Sequence, residues 1–456
     1  MIKKLKSILD KRKLDAWKFN TSEIRRTNFY YTKNLEKESV LHAFRINIDV
    51  TIYQYFGDEI GDSSFSVVIG ETGNSKDVGS LKIDEGLINK KIDEALLLCN
   101  YSRKPVFKIP VSNKIPKCNL VDKNLKNPTL QLNQIYKEIK NELKNYSNIT
   151  VNNLELYGGF LSSNLINNNG INYNEERTSF YIELTLTANK GGKQQEHVAM
   201  KDVSSLSKFN PKQFVKENVK LVNDILNSKL IKTFKGDVII SGDAISEFFS
   251  PHLSLNPLIM HASAKIKHMG ISRYKMNKII ANFKLDKLTI ATDPLLKLNP
   301  SSSAFDYDGV VSKKVKIIEN GMFKNYFSNK QYADYLNIEA TGAMGSINIK
   351  GGKNNINKII SICEKNKNQM LEIVSFSSFV PNSISGDFSA EIRLGYVIKK
   401  NQAGKVIKES FKGGMFTGNV FDIVGNMYLS SEIKETNGYH GPKLVVFRNA
   451  IVSGME

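Results

Sequence analysis

The sequence predicts an α+β protein built in two parts. Residues 1–236 read as an N-terminal, α/β-sandwich-like domain of mixed sheet and helices, and residues 237–456 as a C-terminal, β-rich, barrel-like domain. Three observations carry this. Strands of period two alternate with amphipathic helices in the first half. Lys235-Gly236 ends that texture, and short apolar strands broken by Gly, Asn and Ser follow. Apolar residues make up 41% of 456, enough to fill sizeable cores.

The elements follow in order. Ile2, Leu5, Ile8 and Leu9 fall on one face of a helix within Met1 to Trp17, which is basic but lacks the unbroken apolar stretch of a signal peptide. The first clear strand is Ile46 to Phe56, where Ile46, Ile48, Val50 and Ile52 alternate with polar residues. A turn over Gly57 to Asp62 returns the chain as Phe65 to Ile69, making a hairpin. Helices are predicted over Glu85–Leu98 and Leu130–Tyr146, separated by a loop punctuated by Pro105, Pro110 and Pro116. Strands recur at Ile149–Tyr157 and Ser179–Ala188, joined by the Asn-rich stretch Asn164–Asn174. Asn210-Pro211 opens a further helix, Asn as cap and Pro at a first position that needs no N–H. In the second half one late helix is predicted, Asn354 to Lys367. No internal repeat is present.

Composition excludes several classes. No run of 18 or more apolar residues exists, so no membrane-spanning helix is expected and the protein reads as cytoplasmic. The three cysteines, Cys99, Cys118 and Cys363, form no CxxC pair, which argues against a disulfide framework or a cysteine zinc cluster. Cys363 shares an apolar helical face with Ile356, Ile359 and Ile360 and reads as a buried, inert thiol. The net charge of +19 would attract anionic partners, yet the lysines are scattered, without an arginine-rich cluster or a nucleic-acid motif. Walker and GxGxxG loops are absent, and Ser301-Ser302-Ser303 lacks the elbow of a serine hydrolase. Asp306 and Asp308 could share a strand face as a carboxylate pair, but the nearby Asn-Gly turn favours a solvated edge.

The most specific signal is an ordered set of motifs. Phe305-Asp306-Tyr307-Asp308-Gly309-Val310 precedes Ile317-Ile318-Glu319-Asn320-Gly321-Met322-Phe323-Lys324-Asn325-Tyr326, a strand, an Asn-Gly turn and a second strand. Ala340-Thr341-Gly342-Ala343, Gly351-Gly352, Gly386-Asp387-Phe388-Ser389, Gly395-Tyr396-Val397-Ile398 and Gly418-Asn419 follow. Asn168 to Gly170 supplies a turn in the first half. In order and spacing these motifs resemble the TldD/PmbA (modulator of DNA gyrase) family, with Phe323 where the family has Leu.

One branch of that family carries H-E-x-x-x-H on a helix early in the second domain, two imidazoles that grip zinc and a Glu that acts as base. The corresponding stretch here is Gly242-Asp243-Ala244-Ile245-Ser246-Glu247-Phe248-Phe249, without His. Asn437 to Pro442 stands where that branch has a cysteine ligand. The resemblance therefore implies the metal-free, PmbA/TldE-like branch. Such a chain would be a non-catalytic subunit with no cofactor of its own, paired with a TldD-like, zinc-bearing subunit or with itself, and enclosing a chamber for unfolded peptides. A peptide would be held along a strand edge by backbone hydrogen bonds. Gly386, Phe388 and Ser389 are the candidates for the peptide-facing strand, the alternative being a glycine-relieved bend in a barrel. Two other readings stay open. One is a zinc peptidase with non-standard ligands such as His252, His261 or His440, with His268 seven residues from His261. The other is a non-enzymatic homodimer that binds peptides or, less in keeping with the scattered charge, nucleic acid. His42 and His197 read as ordinary strand or loop residues.

Overall fold

A computed structural model describes residues 1–72, 83–249, 256–364, 369–400 and 406–454. The N-terminal half runs Ile2–Lys11 (α1), Ala16–Thr32 (β1), Lys37–Phe56 (β2), Glu59–Thr72 (β3), Glu85–Cys99 (α2), Lys104–Pro105 (β4), Thr129–Leu143 (α3), Ile149–Asn167 (β5), Asn172–Lys190 (β6), Lys193–Val203 (β7) and Pro211–Asn227 (α4). Its seven strands form one sheet in the order β4-β3-β2-β1-β5-β6-β7. Every pair in it is antiparallel, where the sequence predicted a mixed sheet. Short reversals join β1 to β2, β2 to β3, β5 to β6 and β6 to β7, and such hairpin connections can only be antiparallel.

Side chains on a strand alternate between faces. On β1, Trp17 and Phe19 pack beneath α1 and α2, while Phe29 and Tyr31 pack beneath α3 and α4. All four helices thus cover one face. Asn210 Oδ1 caps α4 by accepting from Gln213 N at 3.0 Å, as its sequence predicted. The hairpin turn is confined to Gly57-Asp58, and β5 and β6 run further than predicted, into a turn at 168–171.

The C-terminal half holds Lys229–Leu230 (β8), Phe234–Ile240 (β9), Gly242–Phe249 (α5), Pro257–Met260 (α6), Ala264–His268 (α7), Ile290–Asp293 (β10), Val315–Glu319 (β11), Met322–Phe323 (β12), Lys330–Leu336 (α8), Ser346–Ile349 (β13), Ile356–Glu364 (α9), Gln369–Pro381 (β14), Asp387–Lys400 (β15), Val406–Lys412 (β16), Met415–Asn419 (β17), Val420–Ile423 (α10), Met427–Leu429 (β18), Ile433–Thr436 (β19), Tyr439–Pro442 (β20) and Val445–Ser453 (β21). The single late helix predicted for this half, α9, is therefore joined by five others among the described residues. Four of them are a turn or two long, too short to show a periodic stripe in the sequence.

Strands β14-β9-β21-β17-β15 follow one another and β15 pairs back onto β14, closing a barrel. A second sheet has the order β12-β11-β10-β13-β20-β19. The Asn320-Gly321 turn between β11 and β12 has φ of 48° and 79°, the left-handed pair that its residues favour. Inside the barrel Phe248 of α5 meets Phe379, Phe388 and Phe447 at ring distances of 5.5, 5.5 and 5.1 Å, so α5 is held by an aromatic core.

A cavity between the two halves as the candidate functional site

The position of α5 is set by its first residue. Gly242 has φ +56°, and a Cβ there would stand 2.6 Å from Val374 O, so the turn from β9 into the helix admits only glycine. Ala244, Ile245, Phe248 and Phe249 face the core. The remaining face, with Asp243, Ser246 and Glu247, borders a cavity of about 1510 Å³.

Residues His197–Val203 of β7 and Lys434–Thr436 of β19 form two of its walls. Each belongs to the outermost strand of its sheet, so each carries a backbone edge that no strand pairs among the described residues. The walls are tied together where Lys208 Nζ meets Glu435 Oε1 at 2.7 Å and Asn437 Nδ2 donates to Asp202 Oδ2 at 3.2 Å.

The charges are unevenly matched. Lys434 Nζ bonds Asp243 Oδ1 at 3.1 Å, and Glu372 accepts from Ser241 Oγ at 2.8 Å and from Lys408 Nζ at 2.6 Å. Among the described residues, Glu247 has no such cation bonded to it. Burial, reinforced by Asp243 and opposed by Lys434 and Arg393, pushes its carboxyl up to about 7. Burial also lowers His197, against the opposing effect of its bond to Asn218. Asn218 Nδ2 donates to Phe214 O, so its Oδ1 is the acceptor for His197 Nε2–H at 3.0 Å. The lone pair of His197 Nδ1 is left buried without a partner. In the sequence His197 reads as an ordinary strand or loop residue, Glu247 stands only within the His-free stretch 242–249, and Arg393 carries no motif. Only the Asp243–Glu247 spacing of one helical turn hinted at a shared face.

The other sequence candidates lie elsewhere. Gly386 has φ +85°, with the Phe421 ring 2.5 Å from where a Cβ would stand. Phe388 is buried in the barrel, and Asp387 to Glu391 pair with β14 or β17 on both sides, Ser389 with Val380 and with Thr417. With its edges filled, this segment offers no backbone to a peptide; its geometry is that of a glycine-relieved bend. His261 and His268 end separate helices, α6 and α7, instead of sharing one face. His261 is buried, donating from Nε2 to Ile384 O at 2.9 Å and accepting from Arg273 N at 3.1 Å. His268 packs on Tyr332 and Tyr335. His440 sits in β20 opposite Glu435 and Asn348, His42 bonds Thr27, and His252 lies outside the described residues. Among the described residues, no group of three His, Cys, Asp or Glu side chains converges as a metal-ion site, and the polar side chains that α5 turns to the cavity are Asp243, Ser246 and Glu247. Asp306 is not on a solvated strand edge. It closes a turn, Oδ1 accepting from Asp308 N and Val310 N at 2.9 and 2.8 Å, and burial together with Asp308 pushes it up to about 6.

With this geometry in view, residues 233–454 match the family described as the PmbA/TldA metallopeptidase C-terminal domain. The C-terminal half of the chain is a domain of the PmbA/TldD family. An uncharacterized protein of Methanocaldococcus jannaschii is 24% identical over 299 residues, covering 63% of this chain and 66% of its own length. A metalloprotease PmbA homolog of Buchnera aphidicola is 28% identical over 137 residues, covering 30% of this chain and 29% of its own. The crystal structure of TldE from Thermococcus kodakarensis superposes with a TM-score of 0.77 at 18% identity, covering 99% of this chain and 100% of that one. The fold is thus shared along the whole length, and the family is carried by the C-terminal domain. Among the described residues, no helix is long and apolar enough to cross a membrane.

Proposed function

We propose that this chain is the metal-free subunit of a TldD/TldE-type metallopeptidase complex, and that its cavity holds unfolded peptide for a zinc-bearing partner. The observation that carries this reading is the pair of unpaired strand edges, β7 and β19, lining one cavity beside α5. An extended peptide added to such an edge is bound through its backbone, common to all sequences, which suits a substrate class defined by being unfolded. Helix α5 supplies Asp243, Ser246 and Glu247 to that cavity, where the family's catalytic branch has imidazoles. Arg393 and Lys434 supply cations for a peptide carboxylate.

The test is reconstitution. The purified chain, a relative bearing H-E-x-x-x-H, and the two mixed are each assayed on an unstructured peptide, with metal content measured. Cleavage by the mixture well above that of either protein alone, abolished by a chelator, is the expected result. Stoichiometric zinc and chelator-sensitive cleavage by this chain alone would sink the proposal.

A further inference from the structure

The helix-free face of the N-terminal sheet carries a row of side chains that the cavity alone does not explain. Cross-strand register aligns Asn28 of β1, Tyr157 of β5, Tyr181 of β6 and Asp202 of β7, and in the next row Glu155 of β5 directly opposes Glu183 of β6. Like charges placed opposite each other on neighbouring strands destabilise a sheet. Here the recorded side-chain partners of the three carboxylates are all neutral. Tyr157 and Asn153 donate to Glu155, Tyr181 donates to Glu183 at 2.8 Å, and Asn437 donates to Asp202. In a chain of net charge +19, these three carboxylates have no bonded cation among the described residues.

Two further observations point to what binds there. The rings of Tyr30, Tyr157 and Tyr181 stand in sequence at 5.5 and 5.4 Å, a surface whose π faces attract cations, and the Arg26 guanidinium already approaches the Tyr157 ring at 6.0 Å. Asn28 is 6% exposed, and its Nδ2 donates to Tyr30. Its Oδ1 is buried with no donor, an acceptor left open within the same cluster. Carboxylates, aromatic faces and an unused amide oxygen together accept one chemical group: a multi-donor organic cation.

We propose that this row binds the ammonium or guanidinium of a basic side chain on an extended peptide. The inference rests on the peptide reading above, because Asp202 belongs both to the row and to the cavity wall, so a chain lying in the cavity can turn a side chain onto the sheet. The site gives the complex a preference for lysine or arginine at one position of an otherwise sequence-tolerant substrate.

The probes are three blocked alanine pentapeptides carrying lysine, norleucine or glutamate at the centre, titrated calorimetrically into the full chain. Lysine is expected to bind about tenfold more tightly than norleucine, and glutamate more weakly than either. Glu155→Gln/Glu183→Gln, which keeps the shapes and removes the facing charges, is expected to erase the lysine preference and leave norleucine binding in place. Asp202→Asn, at an exposed position, should reduce the preference several-fold and serves if the double variant does not fold. Equal affinity for the three peptides, or a preference untouched in the variants, would overturn the cation site alone. Failure of all three to bind would overturn the peptide reading with it.

Discussion

Glu247 shows how one side chain is governed by what surrounds it. Its ordinary value is 4.5 and burial with Asp243 raises it to about 7. The folded state therefore binds the proton more strongly than the unfolded state. The stability this contributes is fully present below about 4.5 and is lost as pH rises through about 7. Glu247→Gln carries no charge at any pH, so the variant should lack that decline. Its advantage over the parent should grow between pH 5 and 8 to roughly 1–3 kcal/mol, after allowance for the partial exposure of the carboxyl. Chemical denaturation at several pH values measures this. Parallel stability–pH curves would show that Glu247 is ionised in the fold without penalty. The residue identity was visible in the sequence. Its environment was visible only as far as Asp243, one turn away on the same helix, because Lys434 and Arg393 come from distant segments of the chain.

Among elements, the long helices of the N-terminal half were the most legible, since α2, α3 and α4 each bury one stripe of a 3.6-residue repeat. The longest miss was β1. The alternation of Trp17 and Phe19 fades at Glu23, Arg25 and Arg26, where neither face of the strand is apolar, and resumes only at Phe29. Edge status is also silent in sequence, because it depends on which strands the fold sets beside each other. The segment around Ser389, in sequence either a peptide-facing strand or a glycine-relieved bend, has its edges filled, whereas β7, which carries no motif, has a free edge at the cavity among the described residues. A prediction belongs to β7. Alternate amides of an edge strand lack a partner and exchange quickly with solvent. An unstructured peptide added in excess should slow hydrogen exchange over 193–203, while β4, the opposite edge of the same sheet, stays unchanged. Equal slowing at both edges, or none at β7, would rule out strand addition at the cavity.

At the scale of the whole molecule, the cavity keeps its shape only if the two halves hold their relative position. Lys208–Glu435 and Asn437–Asp202 close the cavity rim and are largely exposed, so each contributes little. The stronger tie is Lys18. Its side chain is 6% exposed, it bonds the carboxylate of Asp308, donates to Tyr307 O at 3.2 Å and stands 4.2 Å from the Tyr307 ring centroid. Strand β1 is thereby pinned to the 305–310 turn that carries the family's motif, and Asp306 holds that turn in shape. Lys18→Met keeps the stem and removes the charge, leaving Asp308 partly buried beside Asp306 with no cation. The expected cost is about 1–3 kcal/mol, less than for a fully buried pair because Asp308 is 29% exposed. If the halves unfold as one unit, the loss appears as a single transition moved to lower denaturant with an unchanged slope. Should the transition instead split in two, Lys18 would be the contact that makes the halves cooperative, and the β7 wall of the cavity would separate from α5 before either core melts.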